Sequence, residues 1–156
     1  MKRNDPTIER LGAVRPFARC SRRELAVLAR TLTEQRIAAG EVVMHEGTVG
    51  RTFLVIADGT AVVQVGERVV ARLGAGDVVG EIALLDHCPR TATVTAETDL
   101  VVHSCTRQEF AGLLVTVPSV TRHLLHTLAD RLRTADCELA AVATAAAVAP
   151  ASTGRR

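Results

Sequence analysis

The chain has 156 residues, enough for about one domain with a sizeable core. Apolar residues make up 47% but aromatic residues only 2%, with no Trp or Tyr, so Val, Leu, Ile and Ala must fill the interior. A balance of 19 Lys and Arg against 17 Asp and Glu leaves a charge of +2 dispersed along the chain, which excludes an obvious nucleic-acid footprint. Stacking on a base is confined to Phe17, Phe53 or Phe110. The polar start, Met1-Lys2-Arg3-Asn4-Asp5, lacks the apolar core of a secretory signal. No run reaches the roughly 20 apolar residues that span a bilayer, so a cytoplasmic location and no membrane partner are expected. Cys20, Cys88, Cys105 and Cys137 are widely spaced, without a Cys-x-x-Cys pair, and read as reduced thiols. The five histidines form no His-x-His cluster, and no metal site or cofactor is expected.

Pro6 to Val14 and Ser21 to Thr31 carry apolar residues at helical spacing, and Ser21 with Glu24 makes a capping box. From Glu34 the pattern changes to short β-prone runs cut by glycine. These are Gln35 to Ala38, Glu41 to His45, Phe53 to Ala57, Ala61 to Val65, Arg68 to Leu73, Val78-Val79, Ala92 to Thr95 and Leu100 to Ser104. Gly66-Glu67 between two valine-rich runs signals a hairpin with a II′ turn. Thr106 with Glu109 is a second capping box, opening a helix through Leu114. Pro118 suits the first turn of a longer helix whose Val120, Leu124, Leu128 and Leu132 form an apolar stripe. From Ala140 the chain is mostly Ala, Val and Thr, too small to pack, and is expected to fray. The fold class is therefore α+β: an eight-stranded, jelly-roll-like β-roll with an N-terminal helical segment and C-terminal lid helices.

The stretch from Val79 to Val94, V-G-E-I-A-L-L-D-H-C-P-R-T-A-T-V, reads as a socket for one phosphate and one ribose. Gly80 permits close backbone approach, and the amides near Ile82 and Ala83 begin a helical turn without intrahelical partners, which suits an anion. Arg90 adds a planar cation able to fork onto two phosphate oxygens, and Glu81 supplies an acceptor for a sugar hydroxyl. Taken alone, Glu81 and Arg90 are an ordinary solvated pair, and Thr91 is an ordinary strand opener. His87 and Cys88 beside Asp86 read as a mobile polar tip rather than a metal site.

Gly80-Glu81-Ile82-Ala83-Leu84 followed by Pro89-Arg90-Thr91-Ala92 resembles the phosphate-binding cassette of cyclic nucleotide-binding domains. Upstream, Ala39-Gly40-Glu41, Glu46-Gly47, Ala57-Asp58-Gly59 and Gly74-Ala75-Gly76-Asp77 resemble the family's turns, and Phe110 to Arg133 resembles its closing helices. The resemblance covers residues 8–137, which leaves 138–156 as an alanine-rich tail. It implies a regulatory, non-catalytic module that binds cAMP or cGMP. The phosphate falls to Arg90, Thr91 and the amides near Ala83 and Ala92, and the ribose hydroxyl to Glu81. Val63, Val70 and Val79 match the family's apolar pocket wall, and Arg131 lies where its last helix reaches the ligand. The implied partner is a protein, or a second copy through the C-terminal helix, with no direct nucleic acid. Two alternatives remain: a transcription regulator of the catabolite activator type working through a partner, and a degenerate interaction domain.

Overall fold

The computed structural model describes residues 6–148. Three helical pieces lead in: α1 (Pro6–Ala13), a single 3-10 turn (Arg15–Phe17) and α2 (Arg22–Thr31). Both expected capping boxes are present, Ser21 with Glu24 at α2 and Thr106 with Glu109 at α4 (Arg107–Thr116). Between them lie β1 (Thr33–Ile37), β2 (Val42–Met44), β3 (Thr52–Asp58), β4 (Ala61–Val65), β5 (Arg68–Leu73), β6 (Val78–Val79), α3 (Glu81–Leu85), β7 (Thr93–Ala96) and β8 (Leu100–Thr106). α5 (Pro118–Val148) closes the described chain.

The eight strands form two antiparallel four-stranded sheets, ordered β1-β8-β3-β6 and β2-β7-β4-β5, the jelly-roll arrangement expected. β3 and β8 run further than their apolar cores because Thr52 pairs with Thr106. Met44, Leu54, Ile56, Ala61, Val79, Val94, Ala96, Leu100 and Val102 form one buried cluster of the roll. Alternation sends Phe53 and Cys105 to the opposite face of their strands. There Phe53 stacks on Phe110 of α4, with ring centroids 4.6 Å apart.

Positive φ falls on the glycines that turn the chain, such as Gly40 and Gly76, and on one other described residue, His87 at 61°. Gly66 has φ 57° and Glu67 does not join that group, as a II′ turn requires. The helix does not end where the resemblance does. α5 continues past Cys137 to Val148, because alanine loses the least conformational freedom in a helix. The alanine-rich segment expected to fray is helical as far as Val148, and its residues 149–156 lie outside the described residues. The chain divides into two compact units between Thr121 and Arg122.

Candidate functional site

α3 is a five-residue helix between β6 and β7, entered through Gly80, whose φ of 87° is left-handed. A side chain there would be strained by that backbone, and its Cβ would lie 2.8 Å from the Met44 methyl and 2.9 Å from the Thr52 carbonyl oxygen. The turn swings Glu81 inward, where it is 1% exposed, while Ile82 remains 39% exposed. Ala83 is buried beneath it.

Arg90 returns to the same place from the far side of the cassette. Its backbone is clamped to the loop before β3: its N–H donates to the Thr48 oxygen and its oxygen accepts from Gly47, each at 2.8 Å. Its guanidinium is buried, donating to the Gly80 oxygen at 2.8 Å and to the Thr52 carbonyl and hydroxyl oxygens at 2.6 and 3.3 Å. Burial pulls its pKa below the ordinary arginine value; Glu81 opposes that shift and Arg107 adds to it. A guanidinium carries more donors than these three bonds use. The result is a desolvated cation in a fixed orientation beside a buried carboxylate, in the unit that also contains the two sheets.

Thr91 is exposed directly after Arg90, and Ala92 is half-buried at the entry to β7. Val79 belongs to the buried cluster and Val63 packs against it. Val70 does not line a buried wall. It is 50% exposed and is the extra residue of a bulge, since Val63 pairs with Ala71 and Gln64 with Val69. Arg131 is carried by α5 in the second unit, half-buried and partnered. All three phenylalanines are buried, so none presents a face for a base to stack on.

Three participants had no signal as ligand residues. Gly50 leaves room for the guanidinium: a Cβ there would lie 2.7 Å from the Ala83 Cβ and 3.3 Å from the Arg90 guanidinium carbon. Thr52 supplies two of the acceptors for Arg90. Arg107 bonds the Ala83 oxygen and His87, so the cassette tip is tied and not free. Gly50 alone could have been suspected, as a glycine just before a strand.

Among the described residues no group of His, Cys, Asp and Glu is placed to hold a metal, and the four cysteines are free thiols. Burial, with help from Glu109, pushes Cys105 up to about 12; burial and Glu24 push Cys20 up to about 11. Neither is a nucleophile at neutral pH. A separate open cavity of about 420 Å³ lies under α1, walled by Arg10, Arg15, Glu34 and Arg36 and lined by His103.

The structure is thus an antiparallel jelly roll with a short helix inserted beside a buried arginine. The model of the cyclic nucleotide-binding domain matches residues 34–116, and the chain belongs to that family. A cAMP-dependent protein kinase regulatory subunit of Eremothecium gossypii is 43% identical over 107 residues, 68% of this chain and 23% of that protein. Among solved structures, PKAR CBD2 bound to Sp-2Cl-cAMPS superposes with a TM-score of 0.71 at 29% identity, covering 85% of this chain and 88% of that one. The catabolite activator protein of Thermus thermophilus gives 0.73 at 27% identity, covering 82% and 62%. The chain spans about a quarter of the length of the kinase regulatory subunits it matches. Among the described residues no helix is long and apolar enough to cross a membrane.

Proposed function

We propose that this chain is a cyclic nucleotide sensor with no catalytic activity of its own, binding cAMP or cGMP at the α3 cassette. The observation that carries the reading is Arg90, a buried guanidinium held by the Gly80 and Thr52 oxygens with donors to spare, beside the buried Glu81. A desolvated cation is costly unless an anion completes it, and a cyclic phosphate supplies a planar pair of oxygens at that scale. Glu81 takes the ribose 2′-hydroxyl, and the amides near Ala83 and Ala92 with the Thr91 hydroxyl take the remaining phosphate oxygens. With every aromatic ring buried, the base is held by aliphatic contacts and by the edge of Thr91, which offers an acceptor to the 2-amino group of guanine. The same pairing of Glu81 with Arg90 speaks against a degenerate domain.

Titration of the full chain with cAMP and cGMP by calorimetry tests this directly. Arg90→Ala removes one partner of a buried charge pair, a change that costs about 2–5 kcal/mol, or roughly 30-fold to several thousand-fold in affinity. Binding by the wild type that Arg90→Ala leaves intact would sink the assignment.

The partner proposed is a second copy of this chain, in a cytoplasmic setting. Leu125, Leu132 and Leu139 recur every seventh residue along α5 and are 61%, 63% and 68% exposed, with Leu128, Ala135 and Val142 at the alternate seam positions. That is a heptad pattern, and in a parallel pair Arg131 of one helix lies opposite Asp136 of the other. Light scattering of the full chain is expected to give a dimer, and Leu132→Glu, which buries a charge in the seam, a monomer. A monomeric wild type at high micromolar concentration excludes the seam. The dispersed charge predicts no binding to duplex DNA by this chain itself.

A further inference from the structure

Arg107 is the first residue of α4, immediately after its Thr106 cap. Its backbone N–H donates to the Arg51 oxygen at 2.9 Å, anchoring it beside the loop before β3. One terminal nitrogen of its guanidinium donates to the Gly50 oxygen at 2.7 Å and to the Ala83 oxygen at 3.4 Å. The other lies 2.8 Å from Nδ1 of His87. A guanidinium only donates, so His87 accepts through Nδ1 and carries its proton on Nε2. His87 holds its left-handed φ of 61° at the cassette tip, where a non-glycine residue persists only when its surroundings specify it.

One side chain therefore joins four segments: the loop at Gly50, the cassette helix at Ala83, the cassette tip at His87, and α4. α4 is rigidly seated, because Phe110 stacks on Phe53 of β3 and Leu113 is buried. Gly50 also lies against Arg90, so the contact Arg107 makes there reaches the loop that shapes the guanidinium's berth. The flat fork of arginine is required, since a lysine ammonium cannot bridge diverging acceptors in one plane.

We infer that Arg107 is a positioning residue for the phosphate site: it fixes the cassette helix and its tip against α4, so that the nucleotide meets a preset cassette and its arrival is felt by α4. The ligand half of this inference rests on the cyclic nucleotide reading; the structural half does not. Arg107 is not offered as a ligand contact.

The test uses the full chain and three variants, Arg107→Ala, Arg107→Lys and His87→Ala. In ligand-free protein, Arg107→Ala is expected to speed amide exchange across residues 81–88 while β3 and β8 keep their protection. The wild-type His87 ring is expected to show the Nε2-protonated tautomer by nitrogen NMR, and Arg107→Ala to convert it to the mixture of a free imidazole. With cAMP as the probe, Arg107→Ala is expected to lose about tenfold or more in affinity, Arg107→Lys to recover less than half of that on a logarithmic scale, and His87→Ala to lose a few-fold. Wild-type affinity in Arg107→Lys would mean that charge alone matters and would overturn the positioning role. Unchanged exchange and an unchanged tautomer in a folded Arg107→Ala would overturn it as well. Should Arg107→Ala fail to fold, exchange in Arg107→Lys and His87→Ala decides, and no change over 81–88 in either rejects the inference. If wild type binds neither cAMP nor cGMP, the functional reading fails while the exchange and NMR arms still judge the clasp.

Discussion

Arg90 and Glu81 are nine residues apart in the chain, and both are buried. Arg90 leans on neutral oxygens from Gly80 and Thr52, and the nearby Glu81 supports its charge against desolvation. Removing Glu81 therefore does two things, and they separate by ligand. The ribo ligand loses a hydroxyl contact, whereas a 2′-deoxy cyclic nucleotide has no such contact to lose and feels only the change around Arg90. Glu81→Ala is expected to weaken cAMP by about tenfold or more and 2′-deoxy-cAMP by clearly less, measured by parallel titrations. Equal losses on both ligands would take Glu81 off the ribose. At this scale the sequence showed the cassette residues themselves, because Gly80-Glu81 and Pro89-Arg90 are contiguous signals. It could not show Thr52 or Arg107, and for Gly50 no more than a glycine before a strand, because their roles come from segments that only the jelly-roll topology brings to the cassette.

The helices show a parallel division between what local spacing reveals and what packing adds. Ser21 and Glu24 were legible as a capping box, yet Glu24 also accepts from the backbone N–H of Ser119 at 3.0 Å and from its hydroxyl at 3.1 Å. One carboxylate thus caps α2 and meets the first turn of α5, a helix nearly a hundred residues downstream. Burial works to raise the Glu24 pKa, but the hydrogen bonds from Ser21 and Ser119 outweigh it and hold the carboxyl at about 2, against an ordinary 4.5. A depressed folded pKa means that the stabilisation is fully present above about 4.5 and is lost as pH falls toward about 2. The melting temperature of wild type is expected to drop across that window. Glu24→Gln should melt lower at neutral pH and show a shallower drop on acidification, followed by circular dichroism. Parallel pH profiles for the two proteins would remove Glu24 from the link. α5 runs on past Cys137 for a related reason: the alanine run offers little to pack, but helix propensity needs no packing partner to favour the helical backbone.

For the molecule as a whole, the question is how an occupied cassette is read by anything else, and α5 is the element to watch. Its apolar residues are unevenly covered: Val120 and Leu124 are each 4% exposed and Leu128 is half-buried, while Leu125 and Leu132 stand in water. The i+4 stripe is therefore only half the pattern, since the heptad seam, with its alternate positions, overlaps it and shares Leu128 and Leu132. Fully burying a leucine contributes about 1.5–3 kcal/mol, so two or three of them suffice to shift a balance between open and covered states of the helix. A ligand moves such a balance only by binding one state better than the other. If the cassette and α5 are coupled, saturating cAMP is expected to slow amide exchange along residues 120–133 by more than it slows the strands of the roll, with 81–88 slowed in the same sample. The Leu132→Glu monomer separates two routes to that result. Slowing that survives in the monomer belongs to the single chain, and slowing that vanishes requires the second copy. Protection of the cassette with no change anywhere in α5, in either protein, would make this chain a binding module whose signal leaves by another surface.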